Sequence, residues 1–565
     1  MHPNAPKPSA LPDEHTNLPA GWNDSLKGDF LWTNSNFGEA MPEVMTPFTW
    51  SLLQQGALAG WIQFRGQPTF GNLGGRLYFN VSVLASIFHL MGRDRQQALE
   101  AIEGVLHSSL PEDMPIPLIP APRSYLLSIL PGLVAMQIRQ MQDIWGLPRL
   151  LAANPAWHRA MRQRLDQAQT AAELARLWSQ ELRPHMKKVW SGVLSSANYY
   201  SNYCTPLRQK LARLVGEDDA DALISGLSSP SETLASLGLV LGLSRLARGQ
   251  ITRQAYLEQN GHRGPQEFEV SAPRLGEDPA WLERQLAEFE QAPVDVDAML
   301  AQQRAASQAA SQRLRERQPR QAAALLRQVA QIAPRGRLRE ASRSELGRVT
   351  WIVRAWALRA GALSGIGKDV FFLSIAETLA LLGGDRSPLT HVPARRQVDA
   401  RLRALPPYPP VIRGRFDPFQ WAQTAAASGS SSGVYDASAP PLPAASDKPA
   451  TLRGAPGSAG CVEGRVRRLD SPEQGDLLQA GEILVTALTN VAWTPLFPRC
   501  AAVVTDVGAP LSHAAVVARE LGIPAVVGCG DATARLHTGD RLRVDGGAGL
   551  VAILELAGSG PPPAP

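Results

Sequence analysis

Cysteine is scarce in this sequence. Cys204, Cys461, Cys500 and Cys529 are the only four in 565 residues, and no two have the spacing C-x-x-C. That argues against a disulfide framework and against a zinc site, so we expect a reduced protein with no metal of its own. Long apolar runs are missing too. The most apolar stretch, Tyr125 to Met136, is interrupted by Pro131-Gly132 and is too short to cross a bilayer. The first nineteen residues are polar and proline-rich, with no apolar centre, and do not read as a secretory leader. These features predict a cytoplasmic protein with no membrane partner. Excess charge of one sign is also absent: 56 Lys plus Arg against 51 Asp plus Glu give a formal net charge of +5. A balance this mild does not point to nucleic acid. The arginines fall along helix-like segments such as Gln302 to Arg327 and read as a solvated face. No internal repeat is evident.

What is present is an ordinary globular composition, 44% hydrophobic and 19% charged, in a chain long enough for two or more domains. Residues 1–20 read as a disordered tail. Phe30 to Ser51 mixes Asn, Gly, Pro and Thr with aromatics and reads as an ordered loop leading to a helix near Thr49. It is either a packed entry segment or a pocket wall to which Asn34, Asn36 and Glu39 give polar groups. In Gly74-Gly-Arg-Leu-Tyr-Phe-Asn80, Arg76 and Asn80 either orient an anion or tie loops together. From Val81 to about Leu405 the pattern is mostly helical, clearest over Trp157–Leu182 and Asp278–Val329. Asn154-Pro155 and Ser229-Pro230 read as helix starts. A bundle-like α domain over 21–422 is expected. Residues 423–450 turn to Ala, Ser, Gly and then Pro, the composition of a flexible linker. About 27 such residues span roughly 25–30 Å. Short strands and turns fill 451–557, and 558–565 read as a second tail.

The chemistry centres on Val504-Thr-Asp-Val-Gly-Ala-Pro-Leu-Ser-His513-Ala-Ala-Val-Val-Ala-Arg-Glu-Leu-Gly-Ile-Pro-Ala-Val-Val-Gly528. An apolar strand runs into a turn at Gly508 and Pro510, Ser512 takes the helix N-cap position, and Gly522 stops the helix. His513 falls in the first turn, where backbone N–H groups lack partners and the dipole favours negative charge. An imidazole there can attack a phosphoryl group, and the helix end can stabilise the phosphohistidine. On spacing alone, a helix-terminus histidine without chemistry is an equal reading.

Gly508-Ala-Pro-Leu-Ser-His513-Ala-Ala-Val-Val-Ala-Arg519 closely resembles the phosphorylation-site signature of the PEP-utilising enzymes, the family of PEP synthase, pyruvate phosphate dikinase and rifampin phosphotransferase. The first two usually place Thr two residues before the histidine. Leu511 stands there in this chain, which is closer to the rifampin phosphotransferase branch. The resemblance implies that His513 carries the phosphoryl group, supported by Gly508, Ser512 and Arg519. Thr489 and Trp493-Thr-Pro-Leu-Phe497 match the segment that flanks the histidine.

Further segments resemble the family's substrate-side domain: Phe30 to Ser51, Gly74 to Asn80, Asn260-Gly-His-Arg-Gly-Pro-Gln-Glu267 and Leu338-Arg-Glu-Ala-Ser-Arg343. In the third, His262 could act as a base, Arg263 could bind phosphate and Glu267 could hold either; a structural salt-bridge knot is the alternative. In the fourth, which is expected to open a long helix reaching Leu363, Arg339 and Arg343 share a helix face. Two guanidiniums there repel unless they share an anion, for which a phosphoryl group or Glu340 or Glu345 would serve.

The implied fold is α + α/β: a large mostly helical domain, then a small swivelling β/β/α phosphohistidine domain. The family loads its histidine from ATP through an ATP-grasp domain, and no stretch of this sequence reads as one. Gly361-Ala-Leu-Ser-Gly-Ile-Gly-Lys368 has the wrong P-loop spacing, and Asp369 stands where Ser or Thr is needed. The expectation is therefore a phosphotransferase component. A separate ATP-grasp protein would supply ATP and Mg2+, neither bound by this chain itself, and a small-molecule acceptor would bind in the helical domain. Arg76, Asn36, Glu39 and Glu267 are the substrate-side candidates. A non-catalytic ligand-binding or regulatory protein is the alternative. The tail-like residues 1–20 argue against a fragment of a longer enzyme.

Overall fold

The structure, a computed structural model, describes residues 18, 22–35, 41–56, 58, 61–106, 110, 114–225, 235–291, 295–428, 433–438 and 450–557. Near its start, Leu31–Thr33 (β1), Phe70–Leu73 (β2) and Arg76–Asn80 (β3) combine with Val411–Arg413 (β4) and Val434–Asp436 (β5) in one sheet, ordered β2-β3-β1-β4-β5. The segment after Phe30, expected to be irregular, thus supplies the central strand. Three residues are too few for a visible alternation, and their partners are remote: Trp32 pairs with Asn80 on one side and Ile412 on the other.

The rest of the large region is helical. Val81–Leu90 (α1) is capped by Asn80, whose side chain accepts from the Val83 N–H at 3.3 Å, so Asn80 ties the local fold. Tyr125–Gln167 (α2) runs through Pro131, Pro148 and Pro155 without ending. The helix start expected at Asn154-Pro155 is therefore an interior turn. Buried Asn154 donates to Glu345 Oε2 at 2.5 Å and pairs with His185 at 2.6 Å, which ties this turn to the neighbouring helices. Ser229-Pro230 lies outside the described residues.

Arg183–Val215 (α3) and Ile332–Leu363 (α6) pack along α2, and Glu217–Ile224 (α4) and Val296–Arg317 (α5) complete the face that meets the C-terminal region. The helix reaching Leu363 begins six residues before Leu338, so Arg339 and Arg343 lie within it. Trp178 and Trp356, with ring centroids 4.8 Å apart, sit in the main core. Gly361, in the segment resembling a P-loop, packs against its own continuation: a Cβ there would meet the Gly367 carbonyl at 2.0 Å.

The linker also differs from expectation. Pro418–Ser428 (α7) is helical, with Trp421 buried against Tyr408 and Phe416, and β5 pairs in parallel with β4. Composition hid both, because one aromatic anchor and one sheet edge override an Ala/Ser/Gly bias. Residues 439–449 lie outside the described residues.

From Thr451 the chain builds a second sheet from Thr451–Arg453 (β6), Ala455–Ser458 (β7), Cys461–Arg468 (β8), Ile483–Thr486 (β9), Ala502–Thr505 (β10), Ala525–Val527 (β11), Arg541–Asp545 (β12) and Leu550–Glu555 (β13). Its order is β6-β13-β12-β8-β9-β10-β11-β7. The strands β9, β10 and β11 are fully buried and run parallel, as continuous apolar strands do. His513–Leu521 (α8) is the crossover between β10 and β11. This small β-rich domain behind a large mostly helical one is the architecture expected. No described helix is long and apolar enough to cross a membrane.

Candidate active site

The site grows from the turn between β10 and α8. Ser512 has extended backbone, and its hydroxyl accepts from the Ala515 N–H at 3.3 Å, so His513 is the first helical residue, at the carboxyl end of a parallel strand. Gly522 ends the helix with φ +69°. Gly528, at φ +70°, lets the next strand end pass close to Gly508: a Cβ there would lie 2.6 Å from the Gly508 carbonyl oxygen.

Two threonines hold the ring of His513. Its Nδ1 is 3.2 Å from Thr489 Oγ1 and its Nε2 is 3.2 Å from Thr494 Oγ1, and all three side chains are buried. A neutral ring satisfies both, donating through one nitrogen and accepting at the other. Phe497 stands edge-on at 6.0 Å. Burial pushes the imidazole well below its usual pKa, and the guanidiniums of Arg343, Arg263 and Arg339 push the same way. At neutral pH the ring keeps the lone pair that a nucleophile needs.

Those arginines belong to the helical region. Arg339 donates to the Leu511 carbonyl at 3.1 Å, next to the histidine turn, and pairs with Glu340. Arg343 stacks on Phe268 at 5.8 Å. Arg263 and Glu267, both buried, bring their charges to 2.8 Å without hydrogen-bond alignment. Arg263 Nη1 and Arg343 Nε are buried donors with no acceptor among the described residues. Three guanidiniums against Glu267 and Glu340 leave positive charge beside a neutral ring. A phosphoryl group fits such a set, because it brings both the missing acceptors and the missing charge.

The other candidates are placed less directly. His262 is buried, with Nε2 2.9 Å from Ser344 Oγ, and no described hydrogen bond joins it to His513. Burial and Arg348 hold its pKa well below the usual range. Arg274 ties this loop together by donating to the backbone carbonyls of Gln266, Glu267, Glu269 and Ala272. Glu269 adds bonds from the Thr46 N–H and hydroxyl. Arg76 stacks on Tyr408 at 4.3 Å, in the N-terminal aromatic cluster, and makes no described contact with the His513 site. The ring contact is a cation–π pair, and Arg76 Nε is a buried donor with no acceptor among the described residues. Asn36 and Glu39 lie outside the described residues.

Sequence reasoning missed the group that fastens the two regions together. Arg519, buried in α8, donates to the carbonyls of Gly457 and Pro510 within its own domain. Its Nε also lies 3.5 Å from Asp221 on α4, which Arg208 of α3 holds from the other side at 2.7 Å. Gln303 on α5 bridges the Arg519 carbonyl and Ser225 at 2.9 Å each, and Asn490 donates to the Pro265 carbonyl at 2.7 Å. A continuous apolar core, including Tyr200, Leu300, Trp493 and Val517, seals the interface. Asp221→Asn leaves two buried guanidiniums facing an uncharged amide, which costs about 3 kcal/mol. The expected result is a larger radius of gyration by small-angle scattering and faster amide exchange in α8. Unchanged values for both would show that the pair does not fasten the interface.

Comparison with known proteins finds relatives on both sides of this site. The family model described as PEP-utilising enzyme, mobile domain, covers residues 478–549, which hold Thr489, Thr494, His513 and Arg519. The chain carries the mobile domain of the PEP-utilising enzymes. A second model, the rifampicin phosphotransferase fourth domain, covers residues 161–340 and so includes Arg263 and Arg339. An uncharacterised protein of Mycobacterium tuberculosis is 35% identical over 318 residues, 54% of this chain and 31% of that protein. The prodigiosin synthesizing transferase PigC of Serratia marcescens is 32% identical over 326 residues, 53% of this chain and 33% of PigC. Rifampicin phosphotransferase of Streptomyces sviceus is 36% identical over 200 residues, 33% of this chain and 19% of that enzyme. The chain thus spans about a third or less of the length of these relatives. Within those bounds it is related to the phosphotransferases, and its mobile domain docks on the helical region with the histidine facing inward.

Proposed function

We propose that this chain is a phosphotransferase component in which His513 carries a phosphoryl group from a donor to a small-molecule acceptor in the helical domain. One observation carries the reading: a neutral, threonine-held histidine faces three arginines of the other domain, two of them with unpartnered buried donors. The donor is an ATP-grasp protein on a separate chain, acting with ATP and Mg2+, and the resemblance implies transfer of the β-phosphoryl. In loading, a ring nitrogen of His513 forms an N–P bond to the β-phosphorus as AMP leaves with the bridging oxygen, and water then takes the γ-phosphoryl group off the resulting pyrophosphohistidine as inorganic phosphate. In transfer, an acceptor oxygen forms the new O–P bond as the N–P bond breaks, and the imidazole leaves neutral once the acceptor's proton has been taken up. Arg339, Arg343 and Arg263 offset the charge on the equatorial oxygens as it moves. The swing of the mobile domain between donor and acceptor belongs to this proposal.

The test is phosphohistidine formation. The purified chain is mixed with candidate ATP-grasp proteins and [β-32P]ATP, and separately with PEP, alongside His513→Ala. Acid-labile label on the wild type alone is the expected result. No label with any donor would overturn the carrier reading and leave a ligand-binding protein.

A further inference from the structure

Among the described residues, none neutralises Arg76. The side chain is only 7% exposed, and its guanidinium makes no hydrogen bond or ion pair with any of them. Its close partner is the face of Tyr408, 4.3 Å away. A ring face attracts a cation but brings no countercharge, and buried charges are otherwise paired.

The surroundings have no acceptor to spare. Alternate residues of β3 place Arg76 and Tyr78 on one face of the sheet, with Trp32 of β1 and Ile412 of β4 beside them in register. Tyr408, Phe416 and Trp421 close over that face as an aromatic cluster. The hydroxyls of Tyr78 and Tyr408 donate to the Pro409 and Gly74 carbonyls, at 2.7 and 3.0 Å. Trp32 adds a buried indole N–H that also lacks an acceptor among the described residues. Two carboxylates at the border are engaged elsewhere. Asp24 accepts from the Asn72 N–H at 2.8 Å and pairs with Lys27 at 2.6 Å, and Asp417 accepts from the Phe419 N–H at 2.9 Å at the start of α7. Donors therefore exceed acceptors on this face.

Of the three guanidinium nitrogens, only Nε is enclosed without a partner, so Nη1 and Nη2 lie at the opening. That edge is the planar fork that two oxygens of one anion fit. A carboxylate cancels one charge with one. A phosphate dianion would leave a negative charge against aromatic walls. The place is separate from the phosphotransfer site. Leu77 and Phe79 of β3 point through the other face into the main core, which also holds Phe268 beneath Arg343. The sheet and the side chains packed on it, about 10 Å thick, stand between.

We propose that Arg76 binds a small carboxylate at its Nη edge, in a second site that does not hold the phosphoryl group.

Thermal unfolding of the full chain tests this in Tris chloride at constant ionic strength, with chloride replaced stepwise by acetate, benzoate or inorganic phosphate. Acetate and benzoate should raise the midpoint saturably, by about 3 °C at roughly 100-fold excess over Kd, because they bind the folded chain alone. Phosphate should need about tenfold more for the same shift. Arg76→Met keeps an apolar stem on Tyr408 without the charge. Its midpoint in chloride should match or exceed that of the wild type, and it should not respond to carboxylate. Arg76→Lys keeps the charge without the fork and should respond about tenfold more weakly. No saturable rise with either carboxylate, a phosphate response equal to that of acetate, or an undiminished acetate response in Arg76→Met would overturn the proposal. If Arg76→Met does not fold, Arg76→Lys decides, and a response equal to that of the wild type would remove the site.

Discussion

Arg343→Ala should slow transfer from phosphorylated His513 to its acceptor by about 10^3-fold, the scale at which one arginine on a transferring phosphoryl group counts. Loading of His513 by the donor should stay within about twofold. The separation follows from where Arg343 stands. It belongs to the helical region, its Nε has no acceptor among the described residues, and its charge bears on the histidine across the domain interface. Arg343→Lys keeps a charge but loses the planar fork, so it should recover part of the rate. Single-turnover loss of label from the loaded chain, with and without acceptor, measures the effect. Equal losses in loading and transfer would mean that Arg343 maintains the fold. No loss in either would remove it from the site.

Acidification below about pH 6.5 is expected to destabilise the protein. Burial is the leading cause of four depressed histidines. His158 is pushed down to about 3 and His185 to about 4, while His262 and His513 lie well below the usual range. Arg348 adds to the effect at His158 and His262, Lys188 at His185 and Arg343 at His513. The folded state keeps these rings neutral, while the unfolded chain protonates them near pH 6.5. Their stabilisation is therefore complete above about 6.5 and is lost as the pH falls toward the folded values. At pH 5 the loss is about 2 kcal/mol for each fully buried ring, and less for the partly exposed His185. Asp506 works the other way: burial pushes its carboxyl up to about 6, so it offsets part of the loss below that pH. Denaturant midpoints at pH 7.5, 6 and 5 measure the sum. A midpoint that does not move between 7.5 and 5 would contradict neutral burial of these rings.

Local physics made the histidine turn legible. A buried strand, a capping serine and a left-handed glycine lie within twenty residues, and each does what its chemistry dictates. The helical domain was legible as a class, from the spacing of its apolar residues. Long-range pairings escaped. β1 has three residues and partners some 50 and 380 positions away. Arg76 reads equally as an anion ligand or a loop tie, and its stacking on Tyr408, over 300 positions away, emerges only in three dimensions. Asp221 looks like any acid on a helix, and only the docked mobile domain makes it the partner of Arg519. Thr489 and Thr494 were noticed as flanking residues, but their hydroxyls on the two ring nitrogens emerge only in three dimensions.

The burial of His513 between two regions of one polypeptide sets a competition. In the proposed reaction a donor reaches the ring only after undocking, while the helical domain, held on the same chain, stays available to it at an effective concentration of millimolar order. Every 1.4 kcal/mol of docking strength then lowers the fraction of accessible histidine tenfold. Donor affinity measured on the isolated mobile domain would overstate what the whole chain shows. A substitution that loosens the Asp221–Arg519 contact would charge the histidine faster while discharging it more slowly, so throughput would peak at intermediate docking strength.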